Sequence, residues 1–242
     1  MTTESTQGIR KSNRRWQSDV IVDLVKRYGF PYVALNPGAS YRGLHDSLVN
    51  YGENEPPMLL CNHEKIALQI AHGYARASGQ PMIAIVHDVV GLLHAPMGIY
   101  YAYLDRAPVF IIGATGPLAE PKRRPFIDWI HSANVQGEAI RHIVKWDYQP
   151  AAIDGVPDAF ARAYLIMTSG RQGPIYMCYD ADRRRPSSIT RFRCPRLVPS
   201  ACRQHPRPIP WHSQKRPMRW LPPSALSSSR ISPPDHPMAG TT

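Results

Sequence analysis

The sequence predicts a doubly wound α/β fold: a mostly parallel, six-stranded sheet with helices on both faces, followed by an irregular tail. Between Trp16 and Asp180, short apolar runs alternate with segments of helical period. The runs are apolar throughout, as expected of strands buried on both faces. Turn-forming breakers separate them, at Asn36-Pro37-Gly38, Gly79-Gln80-Pro81 and Gly113-Ala114-Thr115-Gly116-Pro117.

In chain order, the pattern predicts strands at Tyr32–Leu35, Met58–Cys61, Met82–His87, Val109–Gly113, Ile143–Trp146 and Ile175–Tyr179. Helices are predicted at Ser18–Tyr28, Arg42–Asn50, Glu64–Ser78, Leu92–Leu104 and Pro157–Ser169, with a short piece near 128–137. Three regions follow: a polar segment 1–15, a body 16–181, and a Pro/Arg/Ser-rich tail 182–242.

The tail carries the charge. The formal net charge is +11, but residues 1–180 hold 17 Lys+Arg against 16 Asp+Glu, and residues 181–242 hold 12 against 2. Those last 62 residues also contain 12 Pro and 9 Ser and show no sustained period, a composition that buries too little surface to offset ordering entropy. Trp211, Trp220, Phe192 and Cys202 are unusual in such a segment, so an out-of-frame extension and a true basic tail both stay open. A basic tail could contact nucleic acid or an anionic surface, which would make the chain a non-catalytic binding module. Charge runs of this kind more often simply solvate, so nucleic acid is not the expected partner.

No apolar stretch follows the polar start, and no uninterrupted apolar run reaches the roughly 20 residues of a membrane helix. The four cysteines are scattered without a CxxC pair, which points to a reducing, cytoplasmic setting. Cys194, Cys202, His205 and His212 have spacings of 7, 2 and 6 intervening residues, unlike the usual zinc pairs, so no metal site is expected.

The residue that stands out is Glu64, in Leu59-Leu60-Cys61-Asn62-His63-Glu64-Lys65-Ile66-Ala67. The apolar run from Met58 reads as a buried strand ending at a polar trio. Helical period then begins at Glu64, with Ile66, Ile70, Ala71 and Tyr74 spaced for one face. Glu64 therefore sits where a strand's carboxyl end meets a helix, the place where open α/β sheets bind ligands. A first-turn glutamate also complements the helix dipole by roughly 0.3–1 kcal/mol, so a capping role competes with a chemical one. His87-Asp88, at the end of the third strand, suits substrate binding or acid–base work, or a plain hydrogen-bonded loop.

Several motifs follow one another along the body: Asn36-Pro37-Gly38-Ala39-Ser40, His63-Glu64-Lys65-Ile66-Ala67 and Ala71-His72-Gly73-Tyr74-Ala75-Arg76-Ala77-Ser78-Gly79. They are followed by Gly98-Ile99-Tyr100-Tyr101-Ala102-Tyr103-Leu104-Asp105-Arg106-Ala107-Pro108, Arg141-His142-Ile143-Val144-Lys145-Trp146 and Gly173-Pro174-Ile175-Tyr176. Over this series the body resembles the N-terminal, pyrimidine-binding domain of thiamine-diphosphate-dependent enzymes of the acetolactate synthase, benzoylformate decarboxylase and pyruvate oxidase type.

The resemblance implies that Glu64 hydrogen-bonds N1′ of the cofactor's aminopyrimidine, activating it for attack on a 2-keto acid. It implies that the loop of Pro37, Gly38 and Ala39 approaches the neighbouring subunit's cofactor and substrate, although a Pro-Gly pair also suits a plain strand-to-helix turn. His87 and Asp88, read from their own chemistry, are added as candidate binding residues. The resemblance also implies that Mg²⁺ and the diphosphate are held on another domain through a Gly-Asp-Gly motif. This chain offers only Asp154-Gly155-Val156 in that respect. The implied partners are therefore further copies in a homo-oligomer or a separate diphosphate-domain subunit. His87-Asp88-Val89-Val90-Gly91 replaces a Gly-Pro-Gly-like loop of many relatives, and Trp129–Gln136 departs from their Phe-Gln segment, so acetolactate synthase activity itself and action on another keto acid or acyl donor both stay open.

Overall fold

The computed structural model describes residues 16–181. The tail, with Cys194, Cys202, His205, His212 and the basic residues weighed above, and the segment 1–15 lie outside the described residues.

The element order is α1 (Ser18–Arg27), β1 (Val33–Leu35), α2 (Arg42–Asp46), β2 (Met58–Leu60), α3 (Glu64–Ser78), β3 (Met82–Val86), α4 (Asp88–His94), α5 (Pro96–Leu104), β4 (Val109–Thr115), α6 (Asp128–His131), β5 (Trp146–Tyr148), α7 (Val156–Thr168) and β6 (Ile175–Asp180). The six strands form one sheet in the order β2-β1-β3-β4-β6-β5, and every adjacent pair is parallel. The chain runs outward from β1 to β2, then returns to place β3 on β1's other side. The carboxyl ends of β2, β1 and β3 therefore lie side by side at the point where the winding reverses.

Alternate residues of each central strand feed two separate cores. Val33, Leu35, Ile83, Ile85, Phe110 and Ile112 pack with α1, α2 and α7 on one face. Ala34, Met82, Ala84, Val86, Val109 and Ile111 pack with α3, α4 and α5 on the other. Both sets are apolar because both faces are covered, which erases the alternation that a half-exposed strand would show.

α3 spans the residues the sequence predicted. His63 is its N-cap, the side chain accepting the Lys65 N–H at 3.1 Å, and Gly79 ends it in the left-handed conformation at φ 71°. Its buried face differs from expectation. Glu64, Ala67, Leu68, Ala71 and Ala75 face inward, whereas Ile66 and Ile70 are exposed. The small residues on the inner face let α3 lie close to the sheet and to α5.

Three further expectations are corrected. β2 is an edge strand with Leu60 68% exposed, because only β1 flanks it. The helix predicted at Leu92–Leu104 is two helices: α4 starts at Asp88, directly after β3, and Pro96 opens α5 because its ring cannot continue α4. β5 begins at Trp146, while Arg141–Ile143 form a single 3₁₀ turn. Ile143 and Val144, the apolar start of the predicted strand, pack into or against the second core instead, as does Ile140 before the turn. Among the described residues, no helix is long and apolar enough to cross a membrane.

Candidate functional site

Three segments meet at the winding reversal. After β1 the chain passes through Asn36, Pro37, Gly38 and Ala39 to Ser40 and Tyr41. After β2 it passes through Cys61, Asn62 and His63 to Glu64, and after β3 it passes directly through His87 into α4. Glu64 is 5% exposed. Its Oε1 accepts the Asn36 Nδ2–H at 3.1 Å, and its Oε2 lies 3.8 Å from Nδ1 of His94 at the end of α4. His94 stacks on His63, rings 5.1 Å apart and 13° from parallel. Asn36 is itself anchored, because the Tyr41 hydroxyl donates to its carbonyl. Burial first, and then the Glu64 charge, push the Tyr41 hydroxyl well above its usual range, so it remains a donor. A carboxylate is thus held from β1 and α4 at the start of α3.

His87 faces the β1 loop. Ser40 donates its backbone N–H to His87 Nδ1 at 3.4 Å, and the Ser40 hydroxyl lies 2.9 Å from the same nitrogen. A backbone N–H can only donate, so Nδ1 is an acceptor and the ring proton sits on Nε2. Burial lowers the His87 pKa, as do the His131 and Arg124 charges, against an upward pull from Glu64. The His131 ring lies 5.7 Å away, nearly edge-on. The geometry presents an imidazole that accepts from Ser40 at Nδ1 and that burial makes harder to protonate.

The site residues named from sequence do not all play one part. Glu64, Gly38 and His87 come together, and Pro37 and Ala39 form the exposed rim of the β1 loop. Asp88 is 2% exposed and turns inward, with Oδ1 accepting from Val89 N at 2.9 Å and Gln136 Nε2 at 2.6 Å, and Oδ2 from Gly116 N at 3.2 Å. Burial raises its pKa to about 6 against those three hydrogen bonds. Asn36, Ser40, Tyr41, Gly91, His94, His131 and Gln136 were not singled out from the sequence. Asn36 and Ser40 lay within a quoted motif, Gly91 within His87–Gly91, and His131 and Gln136 within the Trp129–Gln136 segment, but no local signal marks Tyr41 or His94.

The cofactor implied by the resemblance can be tested against this geometry. A carboxylate that must meet a heterocyclic nitrogen needs a fixed orientation. Glu64 has one: Asn36 holds Oε1, and the carboxyl group occupies room that a side chain at Gly91 would take, a β-carbon there falling 2.8 Å from Glu64 Oε1. These residues fit an aminopyrimidine.

The comparisons agree. The thiamine pyrophosphate enzyme, N-terminal TPP binding domain profile matches residues 15–136, a stretch holding all three converging segments. Acetolactate synthase 3, chloroplastic, of Brassica napus is 28% identical over 191 residues, covering 79% of this chain and 28% of that protein. The acetolactate synthase large subunit of Lactococcus lactis is 30% identical over 159 residues, covering 65% of this chain and 26% of that protein. The chain thus spans about a quarter of the length of these relatives. Among solved structures, benzoylformate decarboxylase from Polynucleobacter necessarius superposes with a TM-score of 0.62 at 25% identity, over 76% of this chain and 33% of that one. A thiamin diphosphate-dependent enzyme of Mycobacterium smegmatis shares the fold, with a TM-score of 0.65 at 24% identity over 76% of this chain and 34% of that one. Since the profile covers half of the chain and the whole strand-to-helix junction that carries Glu64, the chain belongs to the thiamine pyrophosphate enzyme family, with an N-terminal TPP-binding domain matched over residues 15–136.

Proposed function

We propose that this chain supplies the aminopyrimidine half of the active site of an acetolactate synthase-like enzyme that decarboxylates or ligates 2-keto acids. The observation that carries the reading is the buried Glu64 carboxylate, oriented by Asn36 and faced by the bare Gly91 at the carboxyl end of the sheet. When bound, thiamine diphosphate supplies the electron sink for cleavage and formation of bonds at the keto carbon. The chain's own residues prepare that chemistry. Glu64 would hold a proton at N1′ of the aminopyrimidine, with Asn36 keeping Oε1 engaged. His87, with Nδ1 occupied by Ser40, offers its Nε2–H as a donor to the substrate. Pro37, Gly38 and Ala39 form the rim past which the substrate enters.

The diphosphate and Mg²⁺ are assigned to a further domain or a partner subunit, and the completed site to an assembly of more than one chain. Support for the assembly comes from α3 and α5, which pack side by side and expose Ile66, Ile70, Met97, Tyr100, Tyr101 and Leu104. Glu64 opens the same helix, so a second copy covering this flank would reach the carboxylate's surroundings. The unpaired, buried Cys61 and Cys178 suit a reducing compartment, which we take to be the cytoplasm.

The test is Glu64→Gln in the chain assembled with a diphosphate-domain subunit. The variant should fold as the parent does, and cofactor-dependent turnover should fall by about 10²–10⁴-fold, the usual span for losing a proton-transfer group. Unchanged turnover would sink the reading. Calorimetric titration of thiamine diphosphate with Mg²⁺ should show binding only when the partner subunit is present.

A further inference from the structure

The carboxyl ends of β3 and β4 and the Tyr176 side chain of β6 are joined by one side chain that the proposed chemistry does not use. Gln136 is 0% exposed. Its Nε2 donates to Asp88 Oδ1 at 2.6 Å and to the Ala114 carbonyl at 3.2 Å, and its Oε1 accepts the Tyr176 hydroxyl at 2.9 Å. The orientation of the amide is dictated by its partners, since a carboxylate oxygen and a carbonyl both require N–H donors. Every polar atom of the Gln136 side chain is engaged.

What this clamp holds is unusual. Asp88 has φ 46°, in the left-handed region that non-glycine residues seldom adopt. Its carboxylate is gripped by Gln136, by Gly116 N and by Val89 N. The residue immediately before it is His87, whose ring crosses Gly38 to reach Ser40. Releasing Asp88 would let its backbone relax out of the left-handed region and swing the His87 Cα–Cβ bond away from Ser40.

We propose that Gln136 is a positioning residue for the site: through Asp88 it fixes the backbone that keeps His87 Nδ1 on Ser40 and the ring proton on Nε2. The inference rests on the functional reading only in taking His87 to face substrate. It adds a device that the loop after β3 needs because Asp88 stands there in a conformation suited to glycine.

The experiment reads His87 directly, on the full chain without cofactor. In ¹⁵N-histidine-labelled protein, the ring nitrogen shifts separate the Nε2–H from the Nδ1–H tautomer. The parent should show one tautomer for His87, with Nδ1 unprotonated. Gln136→Leu should replace that signature with an exchanging mixture, and Tyr176→Phe, which removes only the hydroxyl held by Gln136, should shift it partway. Phe160→Leu, a core change on the other face of the sheet, serves as control and should lower stability without moving the His87 signature. If Gln136→Leu is destabilised yet leaves His87 as in the Phe160→Leu control, Gln136 is only structural and the proposal is overturned. If Gln136→Leu does not fold, Tyr176→Phe decides, and an unmoved His87 overturns the proposal equally. Failure of the functional reading would appear elsewhere, as absent thiamine diphosphate binding by the parent chain together with its partner subunit.

Discussion

A β-carbon built on Gly91 would lie 2.8 Å from Glu64 Oε1 and 3.1 Å from its Cγ, so the Glu64 carboxyl group fills the space that Gly91 leaves open. Gly91 is in α4, where alanine is ordinarily the better helix former by roughly 1 kcal/mol. Gly91→Ala should therefore hold or raise helix stability while pushing the carboxylate out of line. A displacement of about 1 Å in a reacting group can reduce rate by about a hundredfold. Thermal unfolding and turnover of the completed enzyme should accordingly diverge: Tm close to the parent's, turnover down by about two orders of magnitude. Parent-like turnover would show that the orientation of Glu64 tolerates more than this packing suggests.

Gly38 stands in a similar relation to His87. A β-carbon on Gly38 would fall 2.5 Å from both Cβ and Cγ of the imidazole side chain. Because His87 Cβ is bonded to the backbone, it cannot swing aside as the tip of a long side chain can. Gly38→Ala should destabilise by about 1–3 kcal/mol through overpacking. In a double-mutant cycle with His87→Ala, most of that loss should disappear, since the clash then has no partner. Additive losses would mean that the Gly38 backbone, rather than its closeness to His87, requires glycine.

Much of this fold could be read from sequence, for physical reasons. Strands buried on both faces are uniformly apolar, so β3, β4 and β6 stood out. α3 was bounded by a polar trio and by Gly79, which supplies the left-handed residue its end requires. The failures share a cause. Ile140, Ile143 and Val144 are buried by tertiary packing of a turn, and Ile66 and Ile70 are apolar but exposed, so composition reported hydrophobicity without saying which surface uses it. In the site, Glu64 was legible because a single carboxylate at a strand-to-helix junction is a local pattern. Its partners were not: Asn36 lies 28 residues from Glu64, and Gln136 lies 48 from Asp88, contacts that only the sheet order creates.

Asp88 gives the molecule a pH signature. Its pKa is raised from 3.8 to about 6 in the folded chain, so between those values the folded state keeps a proton that the unfolded state has lost. Stability from this group is full below pH 3.8 and falls as pH rises to about 6, by an amount on the order of 3 kcal/mol. His87, lowered from 6.5 on folding, acts oppositely and adds stability as pH rises through its own titration. Asp88→Asn cannot titrate. It should lose stability overall, because an amide cannot accept from Val89, Gly116 and Gln136 as a carboxylate does. The decline in Tm between pH 4 and pH 6 should nevertheless flatten relative to the parent, as measured by thermal unfolding across that range. An unchanged slope would assign the decline to other carboxylates.

The apolar flank of α3 and α5 bears on assembly. Ile70 and Tyr101 are exposed on adjacent packed helices, together with Ile66, Met97, Tyr100 and Leu104, a concentration that a monomer would leave in water. At roughly 25 cal/mol per Å² of apolar surface removed from water, covering such a strip contributes appreciably to association. One charge placed within it costs far more than a charge at its rim, because it must be desolvated without a partner. Ile70→Glu with Tyr101→Glu should therefore shift sedimentation of the full chain toward the monomer at concentrations where the parent self-associates, with the helical circular dichroism unchanged because neither side chain belongs to the core. The same pair should weaken cofactor-dependent turnover in the completed enzyme, since Glu64 opens the helix that carries Ile70. Parent-like sedimentation of the double variant would rule out this flank as the contact between copies and leave the separate diphosphate-domain subunit as its occupant.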